Sequence, residues 1–192
     1  EYLELRSRAK DFLDFCYTPS MATEATLQPV RRYGMDAAIL FADILLILDA
    51  MGLGVEFEKG VGPLVQQIDS AADLGTVSLY AIEGRGKTDK SLAWRWAHGR
   101  PDELAAVMDH VIEATAHYLL KQVEAGADAL MLFDSWAEGL PDNIFREVII
   151  APTKKLVTLL RGMGVTVPII GFPRGAAAML PEYARETGVT AI

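Results

Sequence analysis

The sequence has 192 residues, 51% hydrophobic and 23% charged, a composition typical of a globular chain with a sizeable core and not of a disordered one. Its formal net charge of -8 argues against a broad surface for nucleic acid or anionic membrane, so an anionic ligand has to meet locally clustered basic residues. The single cysteine, Cys16, allows no disulfide framework or thiolate metal cluster within one chain and fits a reducing cytoplasm. No apolar run reaches the length of a membrane span, and the charged opening EYLELRSRAK does not resemble a signal peptide.

The first 34 residues predict two helices. Apolar residues between Leu5 and Cys16 recur at helical spacing and indicate an opening helix. Thr18-Pro19 is typical of a helix start, with an N-cap residue followed by proline at the first helical position. The second helix is expected to end at Gly34 in a left-handed cap.

The next segment, DAAILFADILLI at residues 36–47, predicts a strand that is buried on both faces, as in a parallel sheet covered by helices. It carries one carboxylate, Asp43, which has the same strand parity as Ile39 and Phe41. Taking an unpaired carboxylate out of water is costly, so Asp43 needs a reason to be there. The local sequence leaves two reasons open, a hydrogen-bonded position at the strand end and a functional role.

The second half of the chain alternates between helices and strands. The predicted elements, in chain order, are a helix over 102–125, a strand over 127–136 (ADALMLFDSW), a helix over about 141–163, a strand over 166–175 (TVPIIGFPRG) and the start of a further strand at VTAI. Repeated strand–helix units with short connections indicate a parallel sheet, either a doubly wound layer or a (β/α)8 barrel. Periodicity does not choose between the two.

Both architectures place ligands at the carboxyl ends of the strands. The polar residues predicted there are Asp43, Asp134, Ser135 and Arg174. The aromatic Phe133 has the parity of Ser135 on its strand, and core packing is the alternative role for such a ring.

Other motifs point to little chemistry. The stretch AIEGRGKT at 81–88 ends like a phosphate-binding loop, but Ala81 stands where the tight turn needs glycine, and the following DKSLAWRW does not predict a strongly amphipathic helix. Nucleotide hydrolysis is therefore disfavoured. Three histidines, at 98, 110 and 117, match no usual metal signature, and no G-x-S-x-G elbow surrounds Ser135.

Four segments together resemble the uroporphyrinogen decarboxylase family, in matching order and spacing: TLQPVRRYGMDAAILFADIL (26–45), SLYAIEGRGK (78–87), LMLFDSWAEGL (130–140) and VPIIGFPRG (167–175). The resemblance implies one (β/α)8 barrel domain over residues 1–192, usually a homodimer, that decarboxylates the four acetate side chains of uroporphyrinogen III to give coproporphyrinogen III. It implies a cytoplasmic carboxy-lyase of porphyrin and heme biosynthesis that needs no metal or organic cofactor. Neither nucleic acid nor a membrane is an expected partner.

The sequence also departs from the family. We expect this sequence to lack the N-terminal strand with its MRQAGRYLPEY loop and two arginines, an internal segment near residues 70–76, and C-terminal strands with a cleft histidine. A complete barrel needs more than 192 residues. The general acid stays unassigned: a protonated Asp43 and an arginine of the absent loop are both conceivable.

By the same resemblance, Asp43 accepts hydrogen bonds from the pyrrole N–H groups of the macrocycle. Tyr80 bonds Asp43 or a substrate carboxylate, Ser135 binds a carboxylate side chain, and apolar walls are formed by Ile39, Phe41 and Phe133. Two arginines, Arg31 and Arg32, precede the strand and suit a structural or dimer contact. Arg174 is the better placed for the cleft, with a loop-stabilising salt bridge as its alternative role.

Two other functions remain open from the sequence. A corrinoid-linked methyltransferase on the same barrel would use zinc held by cysteine and histidine, and Cys16 within a helix gives this weak support. A non-catalytic tetrapyrrole-binding homologue is the third hypothesis. Replacing Asp43 by asparagine separates an enzyme, which loses turnover, from a binder, which loses affinity.

Overall fold

A computed structural model describes residues 1–42, 45–58, 62–65, 91–134 and 137–192. Three predicted site residues, Asp43, Tyr80 and Ser135, and the phosphate-loop-like stretch 81–88 lie outside the described residues. The chain divides into two compact units. Among the described residues, the first runs as far as Ala93 and the second from Trp94 to Ile192.

The first unit begins with three helices, α1 (Tyr2–Arg6), α2 (Phe12–Tyr17) and α3 (Pro19–Tyr33). The predicted opening helix is thus interrupted, because Asp11 starts a new helix by accepting a hydrogen bond from the N–H of Asp14 at 2.8 Å. The prediction for α3 is confirmed: it follows Thr18, has proline at its first position and ends at Gly34 in the left-handed conformation (φ 64°). Helix α4 (Leu46–Ala50) follows later in the unit.

The predicted strand over 36–47 is wrong for the residues that are described. Residues 36–42 form no regular strand, and α4 begins at Leu46. The N–H of Phe41 donates to the hydroxyl of Thr26 at 2.8 Å in place of a sheet partner. The predicted burial on both faces is also wrong there, because residues 36–40 are exposed, with Ile39 at 74% and Leu40 at 52%. A strand needs a neighbouring backbone with which to pair, and local sequence does not supply that information.

A hairpin that sequence reasoning missed follows α4. Strands β1 (Val55–Glu58) and β2 (Gly62–Val65) pair antiparallel, with Val55 opposite Val65. The signal was present in the alternation of VEFE followed by a glycine-containing connection, which is the usual sequence pattern of a short hairpin.

The core of the first unit is aromatic. Phe15 is fully buried, and the ring of Phe41 meets it edge-on with centroids 5.1 Å apart. Tyr2 and Phe12 also contact Phe41, at 5.8 Å and 6.4 Å between centroids. Edge-to-face pairs of this kind add about 0.5–1.5 kcal/mol each beyond the burial of their area.

The second unit matches the sequence prediction closely. Helix α5 (Ser91–Gly99), at the boundary between the units, was not expected and covers the AWRW stretch. The remaining elements are α6 (Pro101–Glu124), β3 (Leu130–Asp134), α7 (Asp142–Phe145), a π-helical segment (Arg146–Ile150), α8 (Ala151–Gly162), β4 (Ile169–Pro173), a 3-10 turn (Ala177–Met179) and α9 (Leu180–Thr187).

Strands β3 and β4 pair in parallel, in the register Leu130 opposite Ile169. The last residues add the start of a further parallel strand, since Ala191 bridges Ile170 and its carbonyl accepts the N–H of Gly171 at 2.9 Å. The prediction for VTAI is thereby confirmed. Helices α6 and α8 pack over Leu130 and Ile169 and form the main core of the unit.

Helix α8 continues α7 through the π-helical segment without a break in the chain of helical residues. Pro152 stands immediately after this wide turn, at the second position of α8. Proline lacks an N–H and crowds the carbonyl four residues earlier, so a locally wider turn accommodates it inside a long helix.

Candidate active site

The carboxyl ends of β3 and β4 carry two exposed phenylalanines side by side. Phe133 is opposite Phe172 in the register, and their ring centroids are 5.8 Å apart at an interplanar angle of 67°. Side chains alternate along a strand, so these rings point away from the face on which Leu130 and Ile169 meet the helices. Their exposed fractions are 53% and 44%, which is unusual for aromatic side chains on a strand and marks an apolar surface available to a ligand.

The other face of the same strand ends is held by Tyr183 of α9. This side chain is 1% exposed, and a Cβ built at Gly171 would lie 2.5 Å from its ring and 2.6 Å from its hydroxyl oxygen. Only glycine allows the ring to lie this close to β4. Burial raises the pKa of Tyr183, a hydrogen bond with Thr153 lowers it, and the charge of Asp134 raises it.

A tight turn follows β4 and places Arg174 beside the end of β3. The N–H of Arg174 donates to the carbonyl of Asp134 at 3.0 Å, and the N–H of Ala176 donates to the carbonyl of Pro173 at 3.3 Å. Gly175 is left-handed (φ 74°), and a Cβ there would lie 2.7 Å from the Cβ of Glu138. The side chain of Arg174 is exposed.

The described structure locates three of the predicted wall residues. Phe133 lies in the aromatic pair at the end of β3. Ile39 is 74% exposed, whereas the ring of Phe41 packs in the aromatic core of the first unit. The predicted roles of these three residues toward a substrate stay predictions.

The arginines that precede the predicted strand make surface contacts. Arg31 pairs with Glu24 and holds the pKa of that carboxyl below its ordinary value, while Arg32 pairs with Glu1 at 3.6 Å. Both pairs are exposed, so each adds little to stability. The expected structural or dimer contact of these arginines stays a prediction.

Within the described part of the chain, no three His, Cys, Asp or Glu side chains are grouped closely enough to hold a metal ion. Cys16 is buried in α2, and His98 and His110 each bond through Nδ1 to a backbone carbonyl of their own helix, at 2.9 Å. Of the described helices, none has the length and apolar character required to cross a membrane.

A surface groove of about 530 Å³ lies between α6 and α8. Its lining is mainly apolar, including Ile112 and Leu159, and also contains two lysines. Both lysines are already paired, Lys154 with Glu186 and Lys155 with Asp109. The groove belongs to the helical layer and not to the strand ends, where parallel sheets bind ligands.

Sequence reasoning missed two contributors to this site. Phe172 has the same strand parity as Arg174 in TVPIIGFPRG, so alternation along that strand was a sufficient signal for its orientation. Tyr183 gave no such signal, because its contact with Gly171 joins residues that are brought together only by packing of α9 on β4.

The sequence matches the family model described as uroporphyrinogen decarboxylase (URO-D) over residues 1–78 and 75–192. Among curated relatives, the uroporphyrinogen decarboxylase of Hyphomonas neptunium is 68% identical over 231 residues, covering 100% of this chain and 67% of the relative. Those of Maricaulis maris and Rhodospirillum rubrum are 44% and 38% identical, again over 100% of this chain and over 67% and 66% of the relatives. The chain thus spans about two thirds of the length of these proteins.

The same alignments reveal an internal difference in length. The match to the Hyphomonas neptunium protein runs over 231 positions, whereas this chain has 192 residues, so at least 39 of those positions have no residue of this chain opposite them. The two stretches matched by the family model meet at residues 75–78. The expectation of a missing internal segment near residues 70–76 stays a prediction.

A solved structure of a methyltransferase from Methanosarcina mazei superposes with a TM-score of 0.73, at 15% identity, over 97% of this chain and 65% of that one. At this identity the likeness concerns the fold alone. Together with the family match it indicates an α/β fold of the TIM-barrel kind, of which the described residues form a part. On the family model and the curated relatives, the chain belongs to the uroporphyrinogen decarboxylase family.

Proposed function

We propose that the protein removes the carboxyl groups of the four acetate side chains of uroporphyrinogen III and yields coproporphyrinogen III, as a carboxy-lyase of porphyrin and heme biosynthesis. The observation that carries this proposal is the 68% identity to a curated uroporphyrinogen decarboxylase over the whole of this chain. The likeness to the methyltransferase, at 15% identity, does not favour a second function.

The chemistry needs an electron sink in the pyrrole ring. Protonation of a ring carbon makes the ring cationic, and the bond between the acetate methylene and its carboxyl group then breaks, leaving its electron pair with the ring system as carbon dioxide departs. The exocyclic carbon takes up a proton to become a methyl group, and the ring carbon returns its own proton. None of these steps calls for a metal or an organic cofactor.

Asp43 is proposed to accept hydrogen bonds from the pyrrole N–H groups. A carboxylate beside the ring stabilises positive charge that develops only on the way to the transition state, so its contribution falls on the rate and not only on binding. Tyr80 is proposed to bond Asp43 or a substrate carboxylate, and Ser135 to bind a carboxylate side chain.

Apolar walls are proposed from Ile39, Phe41 and Phe133. Phe133 has the strongest support in the described structure, because its ring is half exposed at the carboxyl end of β3. An apolar surround lowers the local dielectric and strengthens the hydrogen bonds and ion pairs made within it.

We also propose a homodimer and a cytoplasmic location, on the family resemblance. Light scattering of the purified protein at several concentrations measures the first. Fractionation of cells that express the protein from its own gene measures the second.

The test of function is turnover of uroporphyrinogen III under anaerobic conditions by the complete gene product, with carboxyl loss followed by chromatography of the oxidised products. Asp43→Asn is expected to lower kcat by about 10²–10³, the usual cost of losing one preorganised electrostatic group. Asp36→Asn, an exposed aspartate in the same segment, is the matched control and should leave kcat unchanged. Unaltered substrate in the presence of the unmodified protein contradicts the proposal, and loss of affinity without any turnover identifies a binding protein.

A further inference from the structure

We propose that Arg174 binds one carboxylate of the substrate, an inference that rests on the proposed function and adds a residue to that site. The proposed substrate carries eight carboxylates, while the chain has a formal net charge of -8. Favourable binding therefore requires a cation placed locally against the general field of the protein.

The fold places Arg174 at the correct edge of the sheet. It follows Pro173, the last residue of β4, and its N–H bonds the carbonyl of Asp134, the last residue of β3. The side chain of Arg174 is thus attached to the backbone where two parallel strands end. Barrels and open parallel sheets bind ligands at this edge.

The backbone that carries this side chain is fixed on both sides. Pro173 and Ala176 are buried, and the 3.3 Å hydrogen bond between them closes the turn. Gly175 in the left-handed conformation lets the side chain of Glu138 lie against the backbone just after Arg174. A fixed backbone lowers the entropy lost when the arginine engages an anion.

The charge of Arg174 is not used within the described structure. Two other arginines of the second unit are engaged in contacts within it: Arg146 makes two hydrogen bonds to Glu182, at 2.6 and 2.9 Å, and Arg161 donates to two backbone carbonyls at 2.8 Å. For Arg174, no ion pair or side-chain hydrogen bond is recorded with any residue of the described ranges. The loop-stabilising salt bridge considered as its alternative role is therefore not present among these residues.

The surroundings match the chemistry of the substrate. Phe133 and Phe172 present an apolar edge next to the turn that carries Arg174. A porphyrinogen has an apolar ring system with carboxylate arms, so a ring-contacting surface beside a single cation suits one flank of the molecule. A guanidinium group binds a carboxylate through two parallel hydrogen bonds, which gives both strength and direction.

The test compares steady-state kinetics of the complete gene product with those of Arg174→Gln, Arg174→Lys and the control Arg185→Gln. Arg185 is an exposed arginine of α9 outside the proposed site. Loss of one charge-assisted carboxylate contact should raise KM for uroporphyrinogen III about tenfold in Arg174→Gln, with kcat changed less than about threefold. Arg174→Lys keeps the charge and should recover part of the affinity, and Arg185→Gln should match the unmodified protein.

Salt supplies an independent readout. Added sodium chloride should raise KM of the unmodified protein and raise it less in Arg174→Gln, because one screened contact has been removed. Circular dichroism and thermal melting of each variant show whether the fold is kept, and Arg174→Lys carries the test if the glutamine variant does not fold.

An unchanged KM in a folded Arg174→Gln, while the unmodified protein turns over uroporphyrinogen III, overturns the role of Arg174 and leaves the proposed function intact. A fall in kcat with KM unchanged also overturns it. Failure of the unmodified protein to bind or to convert the substrate overturns the proposed function itself.

Discussion

Replacing Gly171 by alanine is expected to destabilise the second unit by about 2–3 kcal/mol, at the upper end of the range for overpacked positions. The new methyl group would lie 2.5 Å from the ring of Tyr183 and 2.6 Å from its hydroxyl oxygen, whereas ordinary van der Waals contact needs 3.4 Å or more. Tyr183 is 1% exposed and its hydroxyl bonds Thr153, so the ring has no free space into which to retreat. Strand β4 and α9 must therefore separate.

Intrinsic fluorescence measures this unit selectively. Both tryptophans of the described residues, Trp94 and Trp96, belong to the second unit. A loss of 2–3 kcal/mol should lower the midpoint of thermal unfolding by roughly 4–12 °C for a chain of this size. The same change in the urea midpoint without a change in slope would show that stability, and not the unfolding mechanism, has changed.

Two further variants test whether the contact with the Tyr183 ring causes the loss of stability. Gly162→Ala, at a position where a Cβ meets nothing within 4 Å, is the control and should be neutral or slightly stabilising. In a Tyr183→Leu background, Gly171→Ala should cost much less than it does alone, since the ring that it strikes is gone. Equal unfolding midpoints for Gly171→Ala and the unmodified protein would refute the steric reasoning, and so would an equal cost in both backgrounds.

Three other perturbations follow from the contacts of the second unit. Arg146 lowers the pKa of Glu182 below its ordinary value of 4.5, so the ion pair stabilises the fold above that pH and this stabilisation is lost as the pH falls. The difference in melting temperature between the unmodified protein and Glu182→Gln should therefore narrow below about pH 4.5. Because burial raises the pKa of Tyr183 above 10.0, its contribution is present below that pH and lost as the pH rises further, so Tyr183→Phe should show a shallower loss of stability in alkaline melts. Phe172→Leu should raise KM for uroporphyrinogen III about three- to tenfold if its ring contacts the macrocycle. The control is Phe57→Leu, which should leave KM unchanged; Phe57 is also a strand phenylalanine, 39% exposed and in an edge-on pair. Equal effects of the two substitutions would contradict the contact of Phe172 with the macrocycle.

The sequence predicts the second unit well because its signals are local. Helices α6 and α8 have long apolar faces at helical spacing, and β3 and β4 are short apolar runs between them, so element type and order follow directly. The predicted strand at 36–47 shows the limit. Apolar content there predicts a buried strand, yet residues 36–40 are exposed and form no strand. The choice between strand, helix and irregular backbone depends on which other segments pack against this one, as the hydrogen bond from Phe41 to Thr26 illustrates.

The same limit applies to the candidate site. Phe133 is a wall residue that the family resemblance implies, and its ring lies at the end of β3. Its pairing with Phe172 depends on the register of β3 and β4, and the position of Tyr183 depends on a helix contact; no local pattern encodes either of them. The proposed roles of Asp43, Tyr80 and Ser135 come from family motifs and stay predictions. Family motifs predict which residues take part in the chemistry, but the positions of those residues depend on packing between segments that are distant in the sequence.

The wide turn at Arg146–Ile150 allows one continuous helical stretch to pack into two separate hydrophobic clusters. Phe145 and Ile149, before and within the turn, pack with Met179 and Tyr183, whereas Leu156 and Leu160, after it, pack with the strands beneath α6. One additional residue rotates everything beyond it by about 100° around the helix axis. The π-helical segment therefore sets the angle, around the helix axis, between the apolar residues before it and those after it. Deleting one residue within it would turn one of these two apolar faces toward solvent, although the amino-acid composition would hardly change.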